Sequence, residues 1–366
     1  MVATLEFPGF IDVHVHFRDP GMPEAETTVS GLAAARRGGF AAVVTMPNTS
    51  PACDSPEMIE YQRKAANGSE VLLLSSACIT KGRSGHEVAD LEALAEAGAA
   101  FFTDDGSYVA DDKVMEEAMR RAAKLGIAVC QHAMDPKELR GGVIRDCALA
   151  RSLGLPVMPV STETVAIRRD LSICRVTGAR LHIQHISTAE GVDLVREAQK
   201  EGLPVTAEAT PHHLLLSCDE ITADDANWKM APPLGNDEDR AELRRAVKEG
   251  VLMFATDHAP HPARTKSLGF AASANGIIGL ETAVAVTYDV MVEREGMPVE
   301  AWARAWSVMP RTILSGPAAA RLAAHVARTR IAVGEKRKVD LSSFASLSRN
   351  CPYGGLEFDC WPCTGA

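Results

Sequence analysis

The sequence predicts an α/β fold, a closed TIM-type (β/α)8 barrel, on three observations. Short apolar, β-branched runs alternate with helix-length amphipathic stretches from residue 9 to about residue 260. The runs number eight, and seven of them finish in side chains able to bind metal or substrate. Such alternation implies a parallel sheet under helical crossovers. Eight units close a barrel whose chemistry gathers on the loops at the C-terminal ends of its strands.

The apolar runs, where strands are expected, span 9–15, 40–46, 71–79, 99–103, 127–130, 180–183, 204–207 and 251–255. Helices are expected at 28–37, 56–66, 87–97, 113–125, 162–176, 189–200 and 237–248, several closed by glycine in the manner of a C-cap. Past residue 280 the pattern stays helical, and beyond Ile331 it loses strong periodicity. The barrel is therefore placed at 9–330, with residues 1–8 and 331–366 forming a small appendage.

Composition narrows the function. The 366 residues carry a formal net charge of -10, with lysine and arginine scattered, so a basic stripe for nucleic acid or an anionic membrane is missing. The sequence contains no apolar run of about 18 residues, the length a membrane helix needs. Residues 1–8 lack the charged and apolar regions of a signal peptide, so a cytoplasmic protein is expected. Nine cysteines, an odd number spread as singletons, suit reduced thiols better than a disulfide framework. Only Cys360 and Cys363 have CxxC spacing, and no second pair completes a four-ligand zinc site.

The chemistry lies at the strand ends. The first run gives Asp12, His14 and His16, then Arg18. Alternate residues on a strand share a face, so His14 and His16 look into one site while Val13 and Val15 look away. Two imidazoles so placed are half of a zinc site. The fourth run ends in Thr103-Asp104-Asp105-Gly106, the fifth in His132, the sixth in His185 and the eighth in Asp257-His258-Ala259-Pro260-His261. Each alone has an ordinary structural explanation, since Asp-Asp-Gly is common turn chemistry. Together on one rim they exceed what a single catalytic zinc requires, and two metals fit better. A metal-acidified water would serve as nucleophile, and no Gly-x-Ser-x-Gly elbow, P-loop or dinucleotide-binding glycine motif competes. Arg18, Asn48 and His261 are candidates for gripping a substrate carboxylate, Arg18 by a bidentate contact. His212 and His213 are expected to shape the rim, and His182 to pack in the barrel.

The motifs resemble a known family. His14-Val-His16-Phe-Arg18, Met46-Pro-Asn-Thr49, Phe102-Thr-Asp-Asp-Gly106, Glu208-Ala-Thr-Pro-His-His213, Met230-Ala-Pro-Pro-Leu234, Ala255-Thr-Asp-His-Ala-Pro-His261 and Gly279-Leu-Glu-Thr282 are similar to the amidohydrolase superfamily. Within it they resemble the bacterial type I dihydroorotases. The resemblance implies a metal-dependent hydrolase barrel carrying a small β-sandwich, here reduced or vestigial. It implies two Zn2+ ions, one held by His14, His16, Asp105 and Asp257 and the other by Asp105, His132 and His185. Hydantoinases and allantoinases open with the same His-x-His but usually bridge their metals with a modified lysine. Here an aspartate takes that position, Asp105 by motif register, with Asp104 as the alternative.

The implied reaction is reversible hydrolysis of (S)-dihydroorotate to N-carbamoyl-L-aspartate by a metal-activated hydroxide, with Asp257 as acid and base. Many relatives carry Asn where this chain has Ala231. Two other readings stand beside this one: another cyclic-amide hydrolase, or a non-catalytic partner of aspartate carbamoyltransferase. Active members of the family can also associate with that enzyme or form homo-oligomers.

Overall fold

The structure is a computed structural model that describes residues 2–363. In chain order its strands are β1 (Ala3–Pro8), β2 (Phe10–Val15), β3 (Phe40–Thr45), β4 (Leu72–Ser75), β5 (Val129–Gln131), β6 (Leu181–Ile183), β7 (Val205–Ala209), β8 (Met253–Phe254), β9 (Arg328–Lys338) and β10 (Glu357–Pro362). Strands β2, β3 and β4 pair in parallel, as do β5 through β8. Phe102 joins the two groups by parallel bridges to Ala77 and Val129, and Val15 meets His258 across the remaining seam. The result is a closed ring of parallel strands, as the alternating pattern predicts.

One expected strand, 99–103, forms bridges without a ladder. Its backbone still bonds both neighbours, Ala100 N to Ser75 O at 2.8 Å and Phe102 N to Ala128 O at 3.0 Å. Every residue of β2 is buried, since helices cover the outer face and side chains fill the inner one. The helices obey their end signals. Asp112–Leu125 starts from the Asp111 carboxylate and stops at Gly126, which adopts a φ of 69°. Asp237–Glu249 starts from an Asn236 capping box and stops at Gly250, φ 76°. The expected helix at 87–97 begins later, at Leu91, because Val88 pairs with Thr80 instead.

An aromatic cluster plugs the N-terminal end of the barrel. Trp302, fully buried, meets Phe10 edge-on at 5.3 Å and Phe7 at 6.0 Å. Its indole N–H donates to Thr287 Oγ1 at 3.1 Å, and Trp306 donates to the same hydroxyl at 3.0 Å.

The chain ends make the small antiparallel β-structure that the family resemblance implies. Of the residues beyond Ile331, those at 339–356 are irregular apart from one three-residue 3-10 turn, but β9 is an eleven-residue strand. It pairs antiparallel with β1 on one side and β10 on the other, making a three-stranded sheet. Only its first half alternates, with Thr329 and Ile331 buried between exposed arginines. The rest is exposed and polar, which hides the strand period. Yet the segment 339–356 is not a loose appendage. Glu281 accepts from the backbone of Ala345 and Ser346 at 2.9 and 3.1 Å, and Asn350 is buried against the loop after β8. Among the described residues every cysteine is free and no helix is long and apolar enough to cross a membrane.

Replacing Trp302 with Ala should remove about 3–5 kcal/mol of stability, as expected for a large buried aromatic. The check is a lower urea midpoint at unchanged denaturant slope, with metal stoichiometry preserved.

Candidate metal centre

The end of β2 delivers His14 and His16 into the barrel mouth, both buried. The backbone there is anchored by Asp12, whose Oδ1 accepts from His14 N at 3.2 Å and from Thr256 N, beyond β8, at 3.0 Å. First and last barrel strands are thereby locked at the level of the site. Asp105 faces the two histidines from the turn after Phe102. Its neighbour Asp104 points the other way, accepting from the backbone of Ile79 and Thr80 at 2.8 and 3.1 Å. Of the two aspartates left open by motif register, the fold turns Asp105 inward.

The predicted ligands converge. His14 Nε2 lies 3.2 Å from Asp105 Oδ1, His16 Nε2 3.4 Å from Asp105 Oδ2, and His14 Nε2 3.5 Å from Asp257 Oδ1. From the far side His132 Nδ1 and His185 Nε2 approach Asp105 Oδ1 at 3.6 and 3.8 Å. Two groups of three donors result, His14, His16 and Asp105, and Asp105, His132 and His185, with the donor atoms of each within 4.8 Å of one another. Asp105 belongs to both.

The donor chemistry fits metal. His14 Nε2 and both carboxylate oxygens of Asp105 are buried without a hydrogen-bond partner. Native proteins seldom leave such atoms orphaned. Two ligands on a tetrahedral zinc, with bonds of about 2.0–2.1 Å, stand roughly 3.3 Å apart. The separations of His14 and His16 from the aspartates lie near that figure, and His132 and His185 stand a few tenths of an ångström farther from Asp105.

Electrostatics point the same way. Burial would raise the Asp105 carboxyl, but His14 and His16 carry it well below the usual carboxylate range. Burial would lower His14, but Asp105 and Glu208 raise it well above an ordinary imidazole. The carboxylates around this wholly buried imidazole favour positive charge at the site.

Three of the predicted ligands, His14, His16 and Asp105, are held from behind. His14 Nδ1–H donates to Glu208 Oε1 at 2.5 Å, and Glu208 Oε2 accepts from His182 Nε2–H at 2.9 Å. This fixes the tautomer that leaves His14 Nε2 bare. His182 is therefore more than barrel packing. His16 Nδ1–H donates to Asn48 Oδ1 at 2.9 Å. Arg83 Nη2 donates to the Asp105 carbonyl at 2.7 Å and to Ser107 Oγ at 3.0 Å, bracing the turn that presents the aspartate. Sequence reading meets Glu208 only as the first residue of a family-like motif, without a role, and misses Arg83. A lone glutamate inside a strand has no spacing partner, and Arg83 sits in a loop of no obvious period. His213 is held by Thr210 and the Pro232 carbonyl, and His212 by the Tyr353 hydroxyl, so both shape the rim as expected.

Above the ligands opens a cavity of about 270 Å³, lined by Arg18, Asn48, Ala231, His261, Asn275 and Gly276 as well as by ligands. Arg18 and His261 stand side by side, Arg18 Nη2 3.3 Å from His261 Nε2. His261 Nε2–H is engaged by the Asn275 carbonyl at 2.7 Å. Burial first, then the charges of Arg18 and Lys266, pull His261 down to about 3, so it is a neutral imidazole beside a guanidinium. The loop from residue 261 to 276 is tied inside by buried Lys229, donating to Ala271 O and Ser273 O at 2.9 and 2.7 Å. Lys266 adds bonds to the carbonyls of Lys229, Ala274 and Gly276 at 3.1, 3.0 and 2.9 Å.

Solved structures share this architecture. An L-hydantoinase from Arthrobacter aurescens superposes with a TM-score of 0.80 at 23% identity, covering 98% of this chain and 83% of that one. A dihydroorotase from Saccharomyces cerevisiae, in complex with 5-fluoroorotic acid, superposes at 0.76 and 16% identity, covering 98% of both chains. The chain shares the barrel fold of these structures, and the histidine and aspartate groups at its mouth could hold metal. The Dihydro-orotase-like family profile matches residues 4–191. Dihydroorotases of Carboxydothermus hydrogenoformans and Bacillus caldolyticus are 40% and 42% identical over 358 and 365 residues, 97% and 98% of this chain and 83% and 85% of theirs. The chain belongs to the dihydroorotase-like family.

Glu208→Gln keeps size but weakens the hold on the His14 tautomer. Metal affinity should fall about 10–100-fold, as is typical of losing a carboxylate behind a histidine ligand. Competition with a chromophoric chelator measures it, and unchanged affinity would remove Glu208 from the site.

Proposed function

We propose that this chain is a binuclear zinc dihydroorotase, hydrolysing dihydroorotate to N-carbamoyl-L-aspartate and catalysing the reverse ring closure. Asp105, common to both ligand groups beneath a cavity that presents Arg18, is the observation that carries the reading. His14, His16 and Asp257 would hold one ion with Asp105, and His132 and His185 the other. Bound there, two divalent ions would acidify water and polarise an amide carbonyl.

The chain's own residues supply the rest. Arg18 offers a planar pair of donors to the substrate carboxylate, and the low local dielectric strengthens that contact. Asn48 spends its oxygen on His16, which leaves its amide N–H groups for substrate. His261, neutral beside Arg18, adds bulk and polarity without a second repelling charge. Burial would raise Asp257, but His14 and His16 bring it down to about 2, so it is ionised at neutral pH and fit to take a proton. In hydrolysis Asp257 accepts the proton of the attacking water as oxygen bonds to the ring amide carbon. It returns that proton to the ring nitrogen as the C–N bond breaks, so Asp257 ends as it began, while the water's other proton is released to solvent when the new carboxyl group ionises at neutral pH.

The hydantoinase-like fold gives the second reading, another cyclic-amide substrate. Against it stand the aspartate at the shared position and a cavity whose lining includes no lysine. Against a non-catalytic partner of aspartate carbamoyltransferase stands the full set of six ligands.

Asp257→Asn should leave metal bound and lower kcat about 10²–10⁴-fold, the usual worth of a positioned acid and base. The assay compares dihydroorotate with hydantoin and allantoin. Turnover of dihydroorotate alone is expected. Preference for another ring would replace the substrate assignment, and full activity of the variant would remove Asp257 from proton transfer.

A further inference from the structure

His261 rests on little regular structure. It follows β8 in a loop whose only helices are the four-residue Ala263–Lys266 and Gly269–Ala272. The two ends of that loop are joined by one side chain from the distant tail. Asn350, 3% exposed, accepts from His261 N through Oδ1 at 3.1 Å. Its Nδ2 donates to Ala259 O at 2.9 Å and to Gly276 O at 3.0 Å. Its backbone carbonyl accepts from Ile278 N at 3.0 Å. The amide thus ties together the start of the loop, where His261 stands, and its end, where Gly276 lines the cavity.

We propose that Asn350 is a positioning residue for substrate binding: it sets His261 and Gly276 at the cavity wall, and through it the tail segment 339–356 builds the site. The inference rests on the reading of His261 as a substrate-binding residue. An amide is suited to the task because it supplies two donors and an acceptor in one plane, each matched here to a backbone group of opposite kind. Lys229 and Lys266 hold the interior of the loop independently. Loss of Asn350 should therefore loosen the ends of the loop while leaving it folded. Because the metal ligands stand on other elements or ahead of Ala259, chemistry should change less than binding.

The test uses Asn350→Ala, which removes all three side-chain bonds, and Asn350→Asp, which keeps the shape and the acceptor while replacing the donors. Hydrogen exchange of amides in 259–278, measured without substrate, should quicken at least about tenfold in both variants. Steady-state kinetics should show KM for dihydroorotate raised about tenfold or more with kcat within about threefold, the mark of lost binding geometry. In a His261→Ala background the Asn350→Ala effect on KM should shrink to about twofold or less, because the two act in series. Unchanged exchange at 259–278, or KM unchanged while kcat falls, would overturn the proposal. If the parent protein does not hydrolyse dihydroorotate, the functional reading fails, and the exchange measurement still decides the brace.

Discussion

A carboxylate with both oxygens buried and unpaired by hydrogen bonds, set among four imidazoles, is the constraint to which the rest of this barrel answers. A bare charge so placed would cost several kcal/mol in desolvation. The histidines around Asp105 hold it ionised, and bound metal would supply the missing positive charge. Everything near it keeps those groups in register. Glu208 and His182 orient His14, Asn48 orients His16, and Arg83 with the Thr103 hydroxyl shapes the turn that carries Asp105.

The convergence has a conformational cost at the strand ends. His185, Asp257 and Arg18 adopt φ of 32°, 49° and 56°, left-handed backbone that residues with a Cβ usually avoid. Each such residue costs about 1–3 kcal/mol and persists only where its surroundings over-determine it. The surroundings do so here. Strands buried on both faces fix the Cα positions, and Asp12 with Thr256 clamps the seam between β2 and β8. Placing a ligand or a guanidinium at the residue where a strand turns into its loop lets one rigid ring aim side chains from most of its strands at one cavity.

Much of this was legible in sequence, for reasons that vary by element. The barrel declared itself because its strands are buried on both faces and read as continuous apolar runs. The run at 99–103 was placed correctly although it forms no ladder, because burial and not pairing shapes its composition. His14 and His16 stood out through the two-residue strand period, and the remaining predicted ligands through their shared position after a run. Glu208 opens one of the family-like motifs, yet no spacing marks its role, because its partner, His14, lies nearly two hundred residues away. The tail's sheet is implied by the resemblance alone, and its periodicity is faint for a different reason. Its strand β9 is half exposed and polar, and Asn350 acts through backbone groups, which no side-chain pattern records. A comparable gap concerns Ala231. The structure puts it on the cavity wall with Asn275 and Gly276, a juxtaposition set by Gly276 N donating to Lys229 O at 2.9 Å.

The central claim is that Asp105 joins two metal ions into one working site. The direct measurement is titration of metal-free protein with zinc, following bound metal and dihydroorotate hydrolysis on the same preparation. The expected result is two equivalents bound per chain, activity that rises with the second, and loss of both tight sites in Asp105→Ala. Full activity at one equivalent, or an Asp105→Ala variant that still binds two, would contradict it.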